Sequence, residues 1–176
     1  MTNELEDQMI VKTEGYLAAK KNEEAVESAN ELAQVDPKDA IVWFVKGKAH
    51  YLSEQYDEAL SSLAKAATLQ ADAPDIWLAM GYTLIAMRRY AEAQPSLEYV
   101  VGVNPGSVEA ACALCVLHTI LGYAEAAQTY LQQALALDRP RAASILSRVN
   151  KDFFAASPAI GAASKAAIAK MTDGLG

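Results

Sequence analysis

The chain has 176 residues, 52% of them hydrophobic and 21% charged, which fits a folded domain with its own core and excludes a disordered chain. Residues 1–138 carry 20 acidic and 9 basic side chains, so the body lacks the basic stripe that nucleic acid requires; residues 139–176 carry 6 basic and 2 acidic ones, too sparse to reverse that exclusion. No apolar run approaches the ~20 residues that span a bilayer, and the acidic opening MTNELEDQMI lacks a signal-peptide core, so the expected compartment is the cytoplasm.

Taken in chain order, the text repeats itself. At a spacing of 34 it falls into four units, 6–39, 40–73, 74–107 and 108–141. One alanine holds the same place in each: Ala25, Ala59, Ala93 and Ala127. Apolar residues follow it at steps of four, three and three: Ala29, Leu32 and Val35 in the first unit, Leu63, Ala66 and Leu69 in the second. The third has Leu97, Val100 and Val103, and the fourth Leu131, Ala134 and Leu137. Those steps trace one face of an α-helix, and a fixed alanine signals a close helix crossing.

An earlier helix is predicted in each unit, from about Asp39 to Leu52 in the second and from about Pro74 to Met87 in the third. Each places a Gly, Gly47 or Gly81, mid-helix, where it costs roughly 1 kcal/mol against Ala, so close backbone approach is expected there. DPKD at 36–39, ADAP at 71–74 and NPGS at 104–107 are turn and N-cap texts. YDEAL (56–60), YAEAQ (90–94) and YAEAAQ (123–128) open the second helices. Pro95 sits early in one of these and predicts a late start or a local bend. Each unit is thus a helical hairpin that buries its apolar face only against stacked neighbours.

After the repeats, Ala142, Ile145, Leu146, Val149 and Phe153 share a face, predicting a capping helix over 141–154. Ser157, Pro158 and Gly174 then bracket a second, alanine-rich helix, about Pro158 to Met171, with Ile160, Ala163, Ala167, Ile168 and Met171 as a modest apolar stripe.

The pattern resembles the tetratricopeptide repeat family, whose W-x2-L-G-x2-Y, A-x3-F, A, P text recurs every 34 residues. The second unit carries it as Trp43, Lys46, Gly47, His50, Ala59, Leu63, Ala66 and Ala71; the third as Trp77, Met80, Gly81, Leu84, Ala93, Leu97, Val100 and Pro105. The outer units are weaker, with Met9, Thr13, Tyr16 and Pro37 in the first and Ala111, Cys115 and His118 in the fourth. The resemblance implies an all-α fold: a right-handed α-solenoid of four helix–turn–helix repeats plus two C-terminal helices. The expected division is a repeat domain over 1–156 and an amphipathic tail helix over 157–176. It also implies structural roles for Trp43 and Trp77.

The resemblance further implies that the first helix of each repeat lines a concave partner-binding groove, here Phe44, Lys48, Tyr51, Leu78, Tyr82, Ile85, Cys112 and Val116. Relatives that grip the C-terminal carboxylate of heat-shock chaperones use Lys, Asn and Arg in this groove. This chain has Ile10, Glu14, Val45, Asp75 and Ala79 at those places, so that clamp is absent. An apolar groove suits an amphipathic helix or an extended apolar peptide. The alternative is a structural subunit that self-associates through this surface and its tail, as a homo-oligomer or by tail-in-groove contact.

Catalytic chemistry finds no support. Cys112 and Cys115 have C-x-x-C spacing without a second pair, and Cys115 takes the repeat glycine's place as a small packing residue. His50 and His118 share one repeat position and read as helix contacts. There is no phosphate loop, nucleophile elbow or zinc-protease text. The expectation is a non-enzymatic protein-interaction scaffold without cofactor or metal, its partner a protein or peptide.

Overall fold

A computed structural model describes residues 4–149 and residue 166. The described residues form helices joined by short turns, without strands. They divide into two units, one ending at Arg89 and the next beginning at Tyr90.

The first unit holds α1 (Glu4–Ala18), α2 (Asn22–Val35), α3 (Ala40–Leu52), α4 (Tyr56–Leu69) and α5 (Pro74–Ala86). Asp39 caps α3, its carboxylate accepting the Ile41 N–H at 2.7 Å, and Pro74 opens α5 where a missing N–H costs nothing. YDEAL does begin α4. Helices α3 and α4 cross so closely that a Cβ on Gly47 would lie 2.6 Å from Leu63 Cγ and 3.3 Å from the Ala59 carbonyl oxygen. Ala59 and Leu63 are both fully buried. This is the close approach that the mid-helix glycine and the fixed alanine encode.

The turns inside the hairpins are built alike. Lys20, Glu54, Arg88 and, in the second unit, Gly122 all have positive φ, at 57°, 60°, 60° and 82°. These positions are 34 residues apart. In each, that residue's N–H returns to a carbonyl three back, and the next N–H to one five back, as in Lys21 to Tyr16 (2.9 Å) and Tyr123 to His118 (2.8 Å). This is the Schellman helix stop. Only Gly122 takes the left-handed conformation freely; the other three hold it at a cost on the order of 1 kcal/mol each.

Between hairpins, the Trp43 indole N–H donates to the Pro37 carbonyl at 2.9 Å and Trp77 to Ala71 at 2.7 Å. Both rings are half-buried. Trp43 packs against the cluster of Leu32, Ala33, Val42 and Val45 and also against that of Ala40, Ala66 and Ile76, so it joins successive hairpins. Thr13 and Ser28 hydroxyls meet at 2.8 Å in the buried seam of α1 and α2.

The second unit holds α6 (Tyr90–Val103), α7 (Val108–Leu121), α8 (Ala124–Leu137) and α9 (Arg139–Val149). Ser107 caps α7 by accepting the Ala110 N–H at 3.2 Å. Helix α6 starts at Tyr90 with Pro95 inside it, so of the expected late start or local bend the late start does not occur. The ring removes the N–H that would bond the Ala91 carbonyl, and both residues are exposed, so water can take that carbonyl. The fourth repeat differs in detail: Tyr123 is the N-cap residue of α8 rather than its first residue. Helix α9 docks Ala142 and Leu146 onto Val108, Ala111, Cys112, Cys115 and Val116 of α7 and Leu131 and Ala134 of α8. An ion pair of Arg141 with Glu109 closes its edge. The expected capping helix is therefore present over its described part; residues 150–154 and, residue 166 apart, the expected tail helix at 158–171 lie outside the described residues.

Candidate partner-binding face

In the first unit α3 touches both α1 and α5. The 34-residue register aligns the three first helices into rungs about 5 Å apart along the helices. From the N-terminal edge they are Asp7–Ile41–Asp75, Ile10–Phe44–Leu78, Glu14–Lys48–Tyr82 and Leu17–Tyr51–Ile85. Within each helix the steps of three and four put these residues on one stripe.

Of the expected set, Phe44, Lys48, Tyr51, Leu78 and Tyr82 are half-buried, and Ile85 is buried at 7% exposure. Ile41, half exposed, and half-buried Ile10 extend the apolar surface. Lys48 Nζ lies 3.3 Å from Glu14 Oε1 and 5.4 Å from the Phe44 ring centre. The pair is solvent-exposed and contributes about 0–1 kcal/mol, but it engages the cation on the stripe. The Tyr51 ring lies tilted at 58° to that of Tyr56, their centres 5.8 Å apart. Partly buried aromatic side chains are suited to receiving apolar side chains.

Cys112 and Val116 belong elsewhere. Both are buried, at 1% and 4% exposure, beneath α9, so they line no open surface. The capping helix that the sequence announced covers the very stripe on α7 to which the family geometry assigns binding.

The side chains with reactive potential are likewise committed to packing. Burial is the main cause that pushes both thiols up to about 12; Glu109 and the neighbouring Cys115 add to this at Cys112, and a hydrogen bond to Thr119 opposes it at Cys115. Protonated, buried thiols are poor nucleophiles and poor metal ligands. A thiol reagent such as DTNB at pH 8 is expected to leave the native chain unlabelled and to titrate two thiols after guanidinium unfolding; rapid labelling of native protein would contradict this burial.

His50 Nδ1 pairs with Gln55 Oε1 at 2.6 Å. His118 stacks on Tyr130 at 5.4 Å and meets Tyr123 at 5.9 Å, its Nδ1 buried without a hydrogen-bond partner. Burial holds its pKa below the ordinary 6.5, against a smaller opposing pull from Glu98. A histidine kept neutral in the fold but free to protonate when unfolded removes stability as pH falls below its unfolded value. Wild type is therefore expected to lose more stability than His118→Phe between pH 7 and pH 5, read as the difference between their denaturant midpoints; equal losses would contradict the assignment.

A feature absent from the expected site is an open trough of about 720 Å³ beside α2, lined by Glu23, Glu27, Glu31 and Glu54 with Val26 and Leu52. The three glutamates of α2 at four-residue steps were legible in the text; the contribution of Glu54 from the left-handed turn was not.

Family models for the tetratricopeptide repeat match residues 14–75 and 74–107, together more than half of the chain. With hairpins of this period and packing, the chain belongs to the tetratricopeptide repeat family. No curated protein matches it by sequence. Among solved structures it is similar in fold to MamA residues 41–end from Desulfovibrio magneticus RS-1 (TM-score 0.72, 19% identity, 99% of this chain and 95% of that one). It is also similar to YrrB, described as a TPR protein with an unusual peptide-binding site (TM-score 0.66, 16% identity, 95% and 84%). A third is the first TPR of Spaghetti (RPAP3), solved bound to an HSP90 peptide (TM-score 0.63, 20% identity, 66% and 95%). No helix among the described residues is long and apolar enough to cross a membrane.

Proposed function

We propose that this chain is a non-enzymatic scaffold that binds a peptide or amphipathic helix on the α1–α3–α5 face, through Phe44, Tyr51, Leu78 and Tyr82. The observation that carries this reading is the row of partly exposed apolar and aromatic side chains in one register across three adjacent first helices. Peptide-bound and peptide-binding proteins of the same fold support it, while the low identity leaves the partner to be found from this face's own chemistry. Apolar anchors at i, i+3, i+4 and i+7 of a partner helix suit rungs of this spacing.

The test is fluorescence anisotropy of labelled amphipathic-helix peptides against wild type, Tyr51→Glu and Tyr82→Glu. A peptide that binds wild type is expected to lose at least tenfold in affinity with either variant, because a charge buried against apolar anchors has no partner. Circular dichroism should show unchanged helicity, since both rings are only half-buried. Full affinity in both variants would remove this face from consideration.

A further inference from the structure

The peptide-binding reading does not by itself say what charge the peptide carries. The N-terminal edge of the face does. Asp7 and Asp75 are both exposed and flank Ile41 in the first rung. Asp7, Asp36 and Asp39 all lie near enough to act on Glu6, which is only 3% exposed. Asp39 and Asp36 each commit one oxygen locally, to the Ile41 N–H at 2.7 Å and the Lys38 N–H at 2.9 Å.

Glu6 is the anomaly. Its Oε1 is buried without a hydrogen-bond partner. Its carboxyl is raised above the ordinary carboxylate value, first by burial, then by a side-chain hydrogen bond to Asp39 and the charges of Asp39, Asp36 and Asp7. Acidic residues in the first turn of a helix favour its dipole, which accounts for exposed Glu4 and Asp7. It does not account for a buried acid crowded by like charges with an oxygen left unsatisfied, an arrangement that costs free energy. Among the described residues no ion pair reaches Glu6, Asp7, Asp36 or Asp39. The face's own cation, Lys48, is held by Glu14 and lies over Phe44.

We infer that the occupant of the α1–α3–α5 face is a peptide of another protein with apolar anchors for the Ile10–Phe44–Leu78 rung and a lysine or arginine that meets exposed Asp7 at the N-terminal edge. This rests on the peptide-binding reading above. An ammonium or guanidinium on exposed Asp7 makes a charge-assisted contact, stronger than a neutral one, and offsets the crowding of carboxylates around buried Glu6. An acidic peptide meets repulsion at the same edge, and such repulsion is an effective means of rejecting wrong partners.

The experiment uses the full chain and three labelled 15-residue peptides with one leucine stripe. They differ only in a terminal pair of residues: two Lys, two Gln or two Glu. Anisotropy at low salt is expected to rank them Lys, Gln, Glu, with at least a tenfold gap between the first and last that narrows as salt is raised. The double variant Glu6→Gln, Asp7→Asn is expected to bring the Lys peptide to the level of the Gln peptide and leave the Gln peptide unchanged, with melting confirming its fold.

Equal binding of all three peptides that still depends on Tyr82 would overturn the charge assignment and leave the peptide-binding face standing. A double variant that keeps the tenfold preference would overturn it as well. No binding by any of the three overturns both readings. A stable dimer in sedimentation that peptide does not dissociate would give the face to a second copy of the chain and overturn an external partner.

Discussion

Leu63→Ala is expected to destabilise the first unit by about 3–4 kcal/mol, within the range for deleting a fully buried leucine. The side chain has no solvent exposure and sits against the backbone of α3 at Gly47. Its surroundings can collapse only slightly, because Ala59 on one side is also buried and contributes a single methyl group. Guanidinium melts should show the midpoint falling with little change in slope. A loss below 1 kcal/mol would mean that the helix crossing is looser than described.

The converse change, Gly47→Val, is expected to cost about 3 kcal/mol, near the upper end for overpacking a filled core. A Cβ alone would stand 2.6 Å from Leu63 Cγ, and valine adds two further methyls beside the Ala59 carbonyl. Removing glycine from a helix interior returns up to about 1 kcal/mol, which does not offset the clash. The two substitutions remove and add volume at one contact, so they should couple. The double variant is expected to be more stable than the sum of the single losses predicts by at least about 1 kcal/mol. Strict additivity would show that Leu63 and Gly47 do not share the same space.

This contact also shows why so much of the fold could be read from the text. The alanine at 25, 59, 93 and 127 and the glycine at 47 record local steric demands, and those demands recur at a fixed period because each hairpin packs on its like. Helix starts were legible where they are chemical, as at Asp39, Ser107 and Pro74. Helix stops were not. The left-handed residue that ends the first helix of each hairpin is Lys20, Glu54 or Arg88 in three cases, and only Gly122 announces itself. Pro95 misled only as to where the helix begins, since a hydrogen bond lost on an exposed face can be replaced by water and need not delay a helix.

The candidate site divides in the same way. Phe44, Tyr51, Leu78 and Tyr82 could be placed from register alone, because register fixes which stripe of a first helix they occupy. The exclusion of Cys112 and Val116 could not, since it depends on where Ala142 and Leu146 of α9 come to rest, a tertiary fact with no local signal. Glu6 was also beyond reach. In the text it is one acid among several in an acidic first turn; only three-dimensional burial distinguishes it from Glu4 and Asp7.

The most direct measurement of the central claim is chemical-shift mapping of the chain with a saturating amphipathic-helix peptide. The account predicts that the largest shifts fall on Ile10, Ile41, Phe44, Lys48, Tyr51, Leu78 and Tyr82, with the α2 trough around Val26, Glu27 and Glu31 unperturbed. Shifts concentrated on that trough, with the aromatic rungs unchanged, would contradict it.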